Sequence, residues 1–520
     1  MKDKKKLIFI TLGSILILGF VLRSYNLSYQ SIWLDEAFSI YYSQQELMNI
    51  ISLRDPSPPL YYTLLHFWIK FSGISESGVR LLSVIFGTAS IFIIYLLGTC
   101  ILNKEAGIFS AILLAFSPLH IYYSQEARTY SLLFLLTLLS MYFYCKFDKN
   151  ASKWNLFGYF ISTVLLLYSH FYALFIIFAQ NIHLFIINKS KFSKKSWDNS
   201  DILRIPRFFI VSTYFIHNKK LKMWILIQAL IFICYIPWIV QLFSIIPENS
   251  YSWIPRPSAS DLITIINHSF SGGVFSFYGL TLTVICILLI MRYKYNSEKS
   301  SLFLIWITVP VLVPFIYSSI FTPIFTPKYV YFVSLPLFIM ISQVLSSMKT
   351  TNKRVLLSVL VILSFATLFV QQNTISKPSW DNVAEYLQDN YEENDKIVII
   401  NSYDIMPLSY YFSKDCFQCD HIYTCSNEKE IYPVDTLQEV RELSGDNFWL
   451  IITRDDYNEE IKDVLSYFEE NYETLESREY LLNQNSDLVN SVYNFLQKNN
   501  IIQLKFNKIR VLHFQKNLVV

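Results

Sequence analysis

Residues 80–102 read RLLSVIFGTASIFIIYLLGTCIL, and no charged side chain follows Arg80 within this stretch. At a rise of about 1.5 Å per residue, an apolar helix of about 20 residues crosses the hydrocarbon core of a membrane, which is about 30 Å thick. The stretch therefore predicts a transmembrane helix and places the chain among membrane proteins.

Similar apolar stretches extend outward from this one, from the N-terminus to about residue 371. The composition agrees, because 53% of the residues are hydrophobic and only 16% are charged, whereas soluble proteins carry about 25% charged residues. The net charge of +3 is too small to indicate a nucleic-acid partner. We expect an all-α polytopic membrane domain at residues 1–371 with about eleven transmembrane helices. They are predicted at about 7–23, 80–102, 106–122, 130–146, 154–169, 172–188, 222–244, 276–292, 302–320, 329–347 and 355–371.

Lysine and arginine are unevenly divided among the connections, and cytoplasmic loops carry the excess. The N-terminus and the basic connection 189–221 are expected inside, and the first loop, 24–79, outside. The apolar segment 58–72 is short for a span and contains Lys70, so we expect an amphipathic helix on the outer surface. The stretch that follows the N-terminal lysines has no small-residue cleavage site after it, so a retained helix is expected rather than a signal peptide.

Residues 372–520 are more polar and, with eleven spans before them, are expected outside. Strand and helix patterns alternate here, which indicates a small extracytoplasmic α/β domain. Helices are predicted at 380–391, 436–443, 458–472 and 487–499, and strands at 396–401, 448–453 and within 501–515.

Three cysteines, Cys416, Cys419 and Cys425, lie together in this tail. An extracytoplasmic location predicts one disulfide among them and one spare thiol. A zinc site that includes His421 is the alternative, because three thiolates and one imidazole can fill a tetrahedral site.

The first candidate site is WLDEA at 33–37, where Asp35 and Glu36 stand in an aromatic, apolar context. One interpretation is a helix start, where carboxylates favour the helix dipole. The other is a general base or a metal ligand, since partial desolvation raises the basicity of a carboxylate.

Four further candidates fall on the same predicted outer side. They are Asp55 before the prolines of 56–59, the stretch SPLHIYYSQEARTY at 117–130, SHFY at 169–172, and Lys328-Tyr329. Each has an ordinary alternative: a cap, a Glu–Arg pair, a structural histidine, a helix start. Carboxylates mixed with cations at one membrane surface suit a substrate that has a phosphate and a polar group.

In this order, WLDEA, PPLYY at 58–62, Arg80 with its small-residue helix, the 117–130 stretch and SHFY resemble the GT-C glycosyltransferases. The resemblance is to the branch related to protein O-mannosyltransferases and to the transferases that add aminoarabinose to lipid A. It covers about residues 7–350.

The resemblance implies a polyprenyl-phosphate-linked sugar as donor, such as dolichyl phosphate mannose, and an acceptor hydroxyl on a protein, a glycan or a lipid at the outer face. Asp35 matches the first-loop acid that acts as the catalytic base or as the group that orients the acceptor, and Glu36 matches the acid that often follows it. Lys328 stands where relatives usually have arginine, so it keeps the charge and loses the bidentate fork. A divalent metal, Mg²⁺ or Mn²⁺, is left open. The donor-binding residues expected are Asp55, Glu126, Arg128, Tyr130, His170, Lys328 and Tyr329.

Two other functional classes remain as alternatives. A lipid-linked sugar flippase would place ionisable groups near the bilayer midplane and tend to show inverted repeats, and the sequence shows no internal repeat. A non-catalytic membrane scaffold gives no reason for charged groups to gather at one face of the membrane.

Overall fold

The computed structural model describes residues 2–53, 55, 57–197, 219–245, 254–272, 277–293, 297–374, 377–392, 394–453, 459–481 and 508–516. The chain forms two compact units. The membrane unit comprises residues 1–25, 51–64 and 80–371, and the tail unit comprises residues 26–50, 65–79 and 372–520. Much of the first loop, which the sequence analysis groups with the membrane domain, thus belongs to the same unit as the tail.

Apolar helices dominate the chain as far as residue 372, and the predicted helical membrane fold is confirmed. Among the described residues, seven helices are long and apolar enough to cross a membrane, or eight with one bent pair. With the three shorter apolar helices, 153–167, 173–187 and 277–291, they coincide with the eleven predicted segments. The helices are Lys2–Ser24, Leu60–Ser72, Glu76–Ile101, Lys104–Ala115, Pro118–Ser124, Tyr130–Lys149, Lys153–Leu167, Ala173–Trp197, Lys219–Ile245, Ala259–Ser271, Phe277–Met291, Ser297–Ile320, Pro327–Val330, the 3-10 turn Tyr331–Val333, Ser334–Ser347 and Thr350–Gln372.

The bent pair, which we call the broken helix, consists of Lys104–Ala115 and Pro118–Ser124 and bends by 60°. Pro118 lacks the N–H that a continuous helix needs and its ring clashes with the preceding turn. Ser117 caps the new start, because its hydroxyl accepts a hydrogen bond from the His120 backbone N–H at 3.3 Å. The break directs the chain into the loop that carries Glu126 and Arg128.

Side-chain hydrogen bonds join neighbouring helices inside the membrane unit. Tyr159 donates to Gln180 at 2.8 Å, and Gln180 donates to Ser140 at 3.0 Å. Gln228 donates to Tyr159 at 3.1 Å, so helices 130–149, 153–167, 173–197 and 219–245 share one buried network. Such bonds hold transmembrane helices together where the hydrophobic effect cannot.

The helix Ala259–Ser271 was not predicted from the sequence, although its start carries a recognisable signal. The Asp261 carboxylate accepts from the Ser258 backbone N–H at 2.7 Å, which is one half of a capping box. The helix ends at Gly272, where φ is +67°, a conformation that glycine adopts without strain.

The tail unit contains a five-stranded mixed sheet with strands β1 (Lys396–Ile400), β2 (Ile431–Val434), β3 (Asn447–Thr453), β4 (Tyr472–Leu481) and β5 (Lys508–Lys516). Their order is β2-β1-β3-β5-β4, with β1 parallel to β2 and β3, and β5 antiparallel to β3 and β4. Its helices are Leu34–Gln44, Leu47–Ile51, Trp380–Asn390, the 3-10 turn Ser402–Asp404, Ile405–Phe412, Lys414–Phe417, Ile422–Asn427, Leu437–Arg441 and Glu459–Asn471.

The predicted small α/β domain is present, and it contains more strands and helices than the sequence pattern predicts. Strands β2 and β4 and the helices between 405 and 427 were not predicted. The predicted helix at 487–499 lies outside the described residues. The expected single disulfide is confirmed, since Cys419 is bonded to Cys425 and Cys416 is a buried free thiol.

Candidate functional site

The acidic helix, Leu34–Gln44, begins immediately after Trp33, whose side chain makes no capping hydrogen bond. Asp35 and Glu36 therefore lie in the first helical turn, where carboxylates interact favourably with the helix dipole. Asp35 is half-buried, whereas Glu36 is fully buried. The two adjacent acids thus have different surroundings.

Glu36 forms an ion pair with Lys377, with 2.8 Å between Oε2 and Nζ. The exposed fraction of the side chain is 0% for Glu36 and 6% for Lys377. Lys377 was not among the predicted site residues, although it begins the Lys-Pro-Ser-Trp stretch that opens the tail. A charge this deeply buried is retained only when it is paired.

The residues just before the acidic helix are also held by the tail. The Ile32 backbone N–H donates to the Tyr411 hydroxyl at 2.7 Å. The Ser31 hydroxyl is hydrogen-bonded to the Asp381 carboxylate. The start of the acidic helix is thereby fixed within the tail unit.

In the membrane unit, the structure brings together several of the predicted donor-binding residues. The centroid of the His170 ring lies 4.8 Å from that of Tyr329 and 6.5 Å from that of Tyr130. The Lys328 ammonium lies 5.6 Å from the Tyr329 ring centroid. Together with Arg128, we call these residues the cation cluster.

Burial and, after it, the charges of Arg128 and Lys328 lower the pKa of His170 to about 3. The imidazole is therefore neutral at physiological pH. The Tyr172 backbone N–H donates to Nδ1 of His170 at 3.2 Å, so Nδ1 is the acceptor and Nε2 carries the proton. The cluster thus combines two cations with a neutral N–H donor, an arrangement suited to an anion such as a phosphate.

Contacts made by Arg128 and by its neighbour Thr129 hold this loop in place. The Arg128 guanidinium donates to the Tyr62 hydroxyl at 3.5 Å, and the Arg128 backbone N–H donates to the Glu126 carbonyl at 2.8 Å. Thr129 donates to the Ser169 carbonyl at 2.9 Å, which joins this loop to the turn of His170. Glu126 itself is buried, at 2% exposure. Tyr62, in the PPLYY stretch, is a contact beyond the residues that the sequence predicts for the site.

Asp55 has a local role in the structure. Its carboxylate accepts from the Ser57 backbone N–H at 2.6 Å, which makes a short turn before the helix Leu60–Ser72. Its chain neighbours Arg54 and Pro56 lie outside the described residues. This hydrogen bond supports the interpretation of Asp55 as a capping residue.

The sequence leaves open whether a divalent metal, Mg²⁺ or Mn²⁺, takes part. Among the residues that the structure describes, no three His, Cys, Asp or Glu side chains gather closely enough to hold one. The carboxylate of Glu36, an oxygen ligand of the kind that Mg²⁺ prefers, is occupied by Lys377.

Residues 56–200 match the family model described as dolichyl-phosphate-mannose-protein mannosyltransferase. No curated protein sequence matches the chain. Among solved structures, ArnT from Cupriavidus metallidurans in the apo state aligns with a TM-score of 0.60 at 11% identity, covering 98% of both chains. The same protein bound to undecaprenyl phosphate aligns with a TM-score of 0.59 at 10% identity, again covering 98% of both chains.

The archaeal oligosaccharyltransferase AglB from Archaeoglobus fulgidus, in complex with an inhibitory peptide and a dolichol-phosphate, aligns with a TM-score of 0.51 at 11% identity. The alignment covers 93% of this chain and 75% of that one. These matches confirm the resemblance drawn from the sequence motifs. The chain has the GT-C fold of these structures, and residues 56–200 are similar to the dolichyl-phosphate-mannose-protein mannosyltransferase family.

Proposed function

We propose that this GT-C protein transfers a sugar from a polyprenyl-phosphate donor to an acceptor hydroxyl on the outer face of the membrane. The observation that carries the proposal is the cation cluster, in which Arg128 and Lys328 lie near the neutral His170. A phosphate group attached to a lipid is an anion that such a cluster can bind with charge-assisted hydrogen bonds. The family match over residues 56–200 and the fold shared with polyprenyl-phosphate-binding proteins support the same donor class.

In the proposed reaction, Asp35 accepts the proton of the acceptor hydroxyl as its oxygen bonds to the anomeric carbon. The bond from that carbon to the phosphate oxygen breaks, and the polyprenyl phosphate leaves with the bonding electrons. Arg128 and Lys328 stabilise the negative charge that develops on the phosphate. Because one face of the sugar is attacked as the opposite bond breaks, inversion is expected.

Asp35 is better suited than Glu36 to be the base. It is half-buried and so remains accessible, whereas Glu36 is fully buried and already paired with Lys377. A group that moves a proton in the reaction must reach the hydroxyl, directly or through one water. We therefore propose a structural role for Glu36.

The test is the initial rate of labelled sugar transfer, first with a panel of polyprenyl-phosphate sugars and membranes that contain or lack the protein. Asp35→Asn should lower the rate at saturating donor by at least about a hundredfold, the usual cost of losing a general base. Donor binding should be unchanged, because the cation cluster is intact.

Asp389→Asn is the matched control, since Asp389 is exposed on the helix Trp380–Asn390 of the same unit. It should transfer sugar at the wild-type rate. Wild-type protein that transfers sugar from no polyprenyl phosphate would refute the function. Normal turnover by Asp35→Asn would refute the mechanism and leave the function standing.

A further inference from the structure

We propose that Lys377 is a positioning residue for the transfer reaction: its buried ion pair with Glu36 orients the first turn of the acidic helix and thereby Asp35. The inference rests on the proposed function, because it assigns the tail a part in the same reaction. Glu36 and Lys377 are 341 residues apart in sequence, and Nζ lies 2.8 Å from Oε2.

The burial of the pair makes it an effective anchor. Neither charged group reaches bulk water, so separating the two would leave each charge in a poorly solvated environment. The pair therefore holds one relative geometry much more strictly than an exposed ion pair does. A buried ion pair contributes little to net stability, because desolvation offsets the attraction between the charges. It nevertheless restrains the orientation of the two side chains.

The position of Glu36 in the helix transmits this restraint to Asp35. Adjacent residues of an α-helix point in directions about 100° apart, because the helix has 3.6 residues per turn. Fixing the Glu36 side chain towards Lys377 therefore fixes the direction in which Asp35 leaves the same turn. Both residues lie in the first turn, directly after Trp33.

A second anchor holds the acidic helix farther along. The Tyr41 hydroxyl donates to the Asp420 carbonyl at 2.8 Å and accepts from the Ile422 backbone N–H at 3.2 Å. Both partners lie in the loop that the Cys419–Cys425 disulfide closes. Residues of the tail thus bind the acidic helix at Glu36 and at Tyr41. They also bind Ser31 and Ile32, which precede the helix.

The experiment compares wild type with Lys377→Met, Glu36→Gln and the double variant Glu36→Gln/Lys377→Met, all in the full-length protein. Lys377→Met should lower kcat about a hundredfold, the cost of a catalytic group misplaced by about 1 Å. The KM for donor should change by less than about threefold, because the phosphate is held by the cation cluster. The double variant, which leaves no buried charge from this pair, should recover about tenfold of that loss.

Hydrogen exchange of the peptide that covers residues 34–44 measures, without any substrate, whether the Glu36–Lys377 ion pair stabilises the acidic helix. Lys377→Met should speed exchange there by about tenfold, and the double variant should restore much of the protection. Lys516→Met is the matched control, because Lys516 faces Asp446 in an exposed pair of the same unit. It should leave both kcat and exchange as in wild type.

Wild-type exchange over residues 34–44 in Lys377→Met would overturn the inference, whatever reaction the protein performs. Faster exchange with a normal kcat would overturn it as well, since the pair would then be only structural. If Lys377→Met fails to fold, Lys377→Arg replaces it, which keeps the charge and alters its reach. It should lower kcat about tenfold, and wild-type kcat in that variant overturns the proposal. An inactive wild type would refute the proposed function. The exchange data would still test whether Lys377 orders the acidic helix.

Discussion

At the residue scale, Arg128 supplies the guanidinium of the cation cluster, and its contact with Tyr62 keeps that group inside the membrane unit. Charge-assisted hydrogen bonds contribute about 1.5–3 kcal/mol each. Arg128→Gln should therefore weaken the binding of polyprenyl phosphate about ten- to a hundredfold, measured as Kd in a direct binding assay. Arg128→Lys should lose less, since it keeps the charge and loses only the planar fork. Wild-type affinity in Arg128→Gln would give the residue a purely structural role.

His170 makes the stability of the protein depend on pH in a predictable direction. Its pKa is about 3 in the folded state and about 6.5 when the chain is unfolded. Below pH 6.5 the unfolded state binds the proton that the folded state refuses, so the free energy of unfolding falls as the pH drops towards 3. The contribution is about 1.4 kcal/mol for each pH unit in that window.

The measurement is the apparent Tm in detergent between pH 7 and pH 5, for wild type and for His170→Asn. Wild type should lose Tm more steeply than the variant as the pH falls, because the variant has no imidazole to protonate. At pH 7 and above, this difference in slope should vanish. Parallel curves through the whole range would show that burial of His170 does not control its protonation.

At the element scale, the broken helix depends on Arg23, a fully buried arginine at the end of the first helix. Its guanidinium donates to the carbonyls of Leu114 and Ala115 at 2.9 and 3.0 Å, and to Gly19 at 2.9 Å. A continuous helix would satisfy the carbonyls of its last turn internally, whereas at the break the Leu114 carbonyl accepts a longer bond, 3.3 Å, from the Ser117 N–H. Arg23 adds a cation at the negative end of the helix dipole.

Removing that cation should loosen the bend. The Ala115 carbonyl would lose its Arg23 partner, and an unsatisfied buried carbonyl costs about 1–3 kcal/mol, so Arg23→Met should destabilise the protein by about 1–3 kcal/mol and lower its apparent Tm. The apparent Tm of Arg23→Lys should lie between those of wild type and Arg23→Met, since an ammonium has fewer hydrogen-bond donors than a guanidinium. The control is Arg256→Met, because Arg256 is exposed in the same unit. Equal Tm values for Arg23→Met and Arg256→Met would contradict this role.

At the scale of the whole molecule, the membrane orientation is the central prediction. The excess of lysine and arginine in alternate connections places 189–221 inside, and 24–79 and 372–520 outside. The tail unit gathers residues 26–50, 65–79 and 372–520, and segments that pack in one compact unit must share a side of the membrane. This agrees with the ten spans predicted between residues 79 and 372, because an even number of spans returns the chain to the same side.

Cysteine labelling with a membrane-impermeant reagent in intact cells measures the orientation. Glu460→Cys should be labelled above the background of the natural cysteines, and Ser200→Cys should be labelled only after the membrane is opened. The reverse pattern would place the acidic helix and the tail in the cytoplasm. It would then rule out an outward-facing reaction.

The sequence by itself determined the membrane fold and the central strands of the tail. The thickness of the hydrocarbon core requires about 20 apolar residues in each spanning helix, so each span can be predicted from its own residues alone. Strands β1 and β3 were likewise readable, because they lie inside the sheet and are continuously apolar. The strands that escaped prediction, β2 and β4, are the two edges of the sheet. Edge strands are short or polar, and their pattern is weak.

Only the tertiary structure decided how the candidate residues are used. From their adjacency, Asp35 and Glu36 are equivalent acids, and the distinction between them comes from Lys377, far away in the sequence. The low pKa of His170 likewise arises from burial and, after it, from the charges of Arg128 and Lys328, which belong to two other segments of the membrane unit. Burial and electrostatics sum over neighbours in space, so residues that are distant along the chain set the chemistry of each group. The assignment of the first loop to the tail unit follows from the same non-local packing.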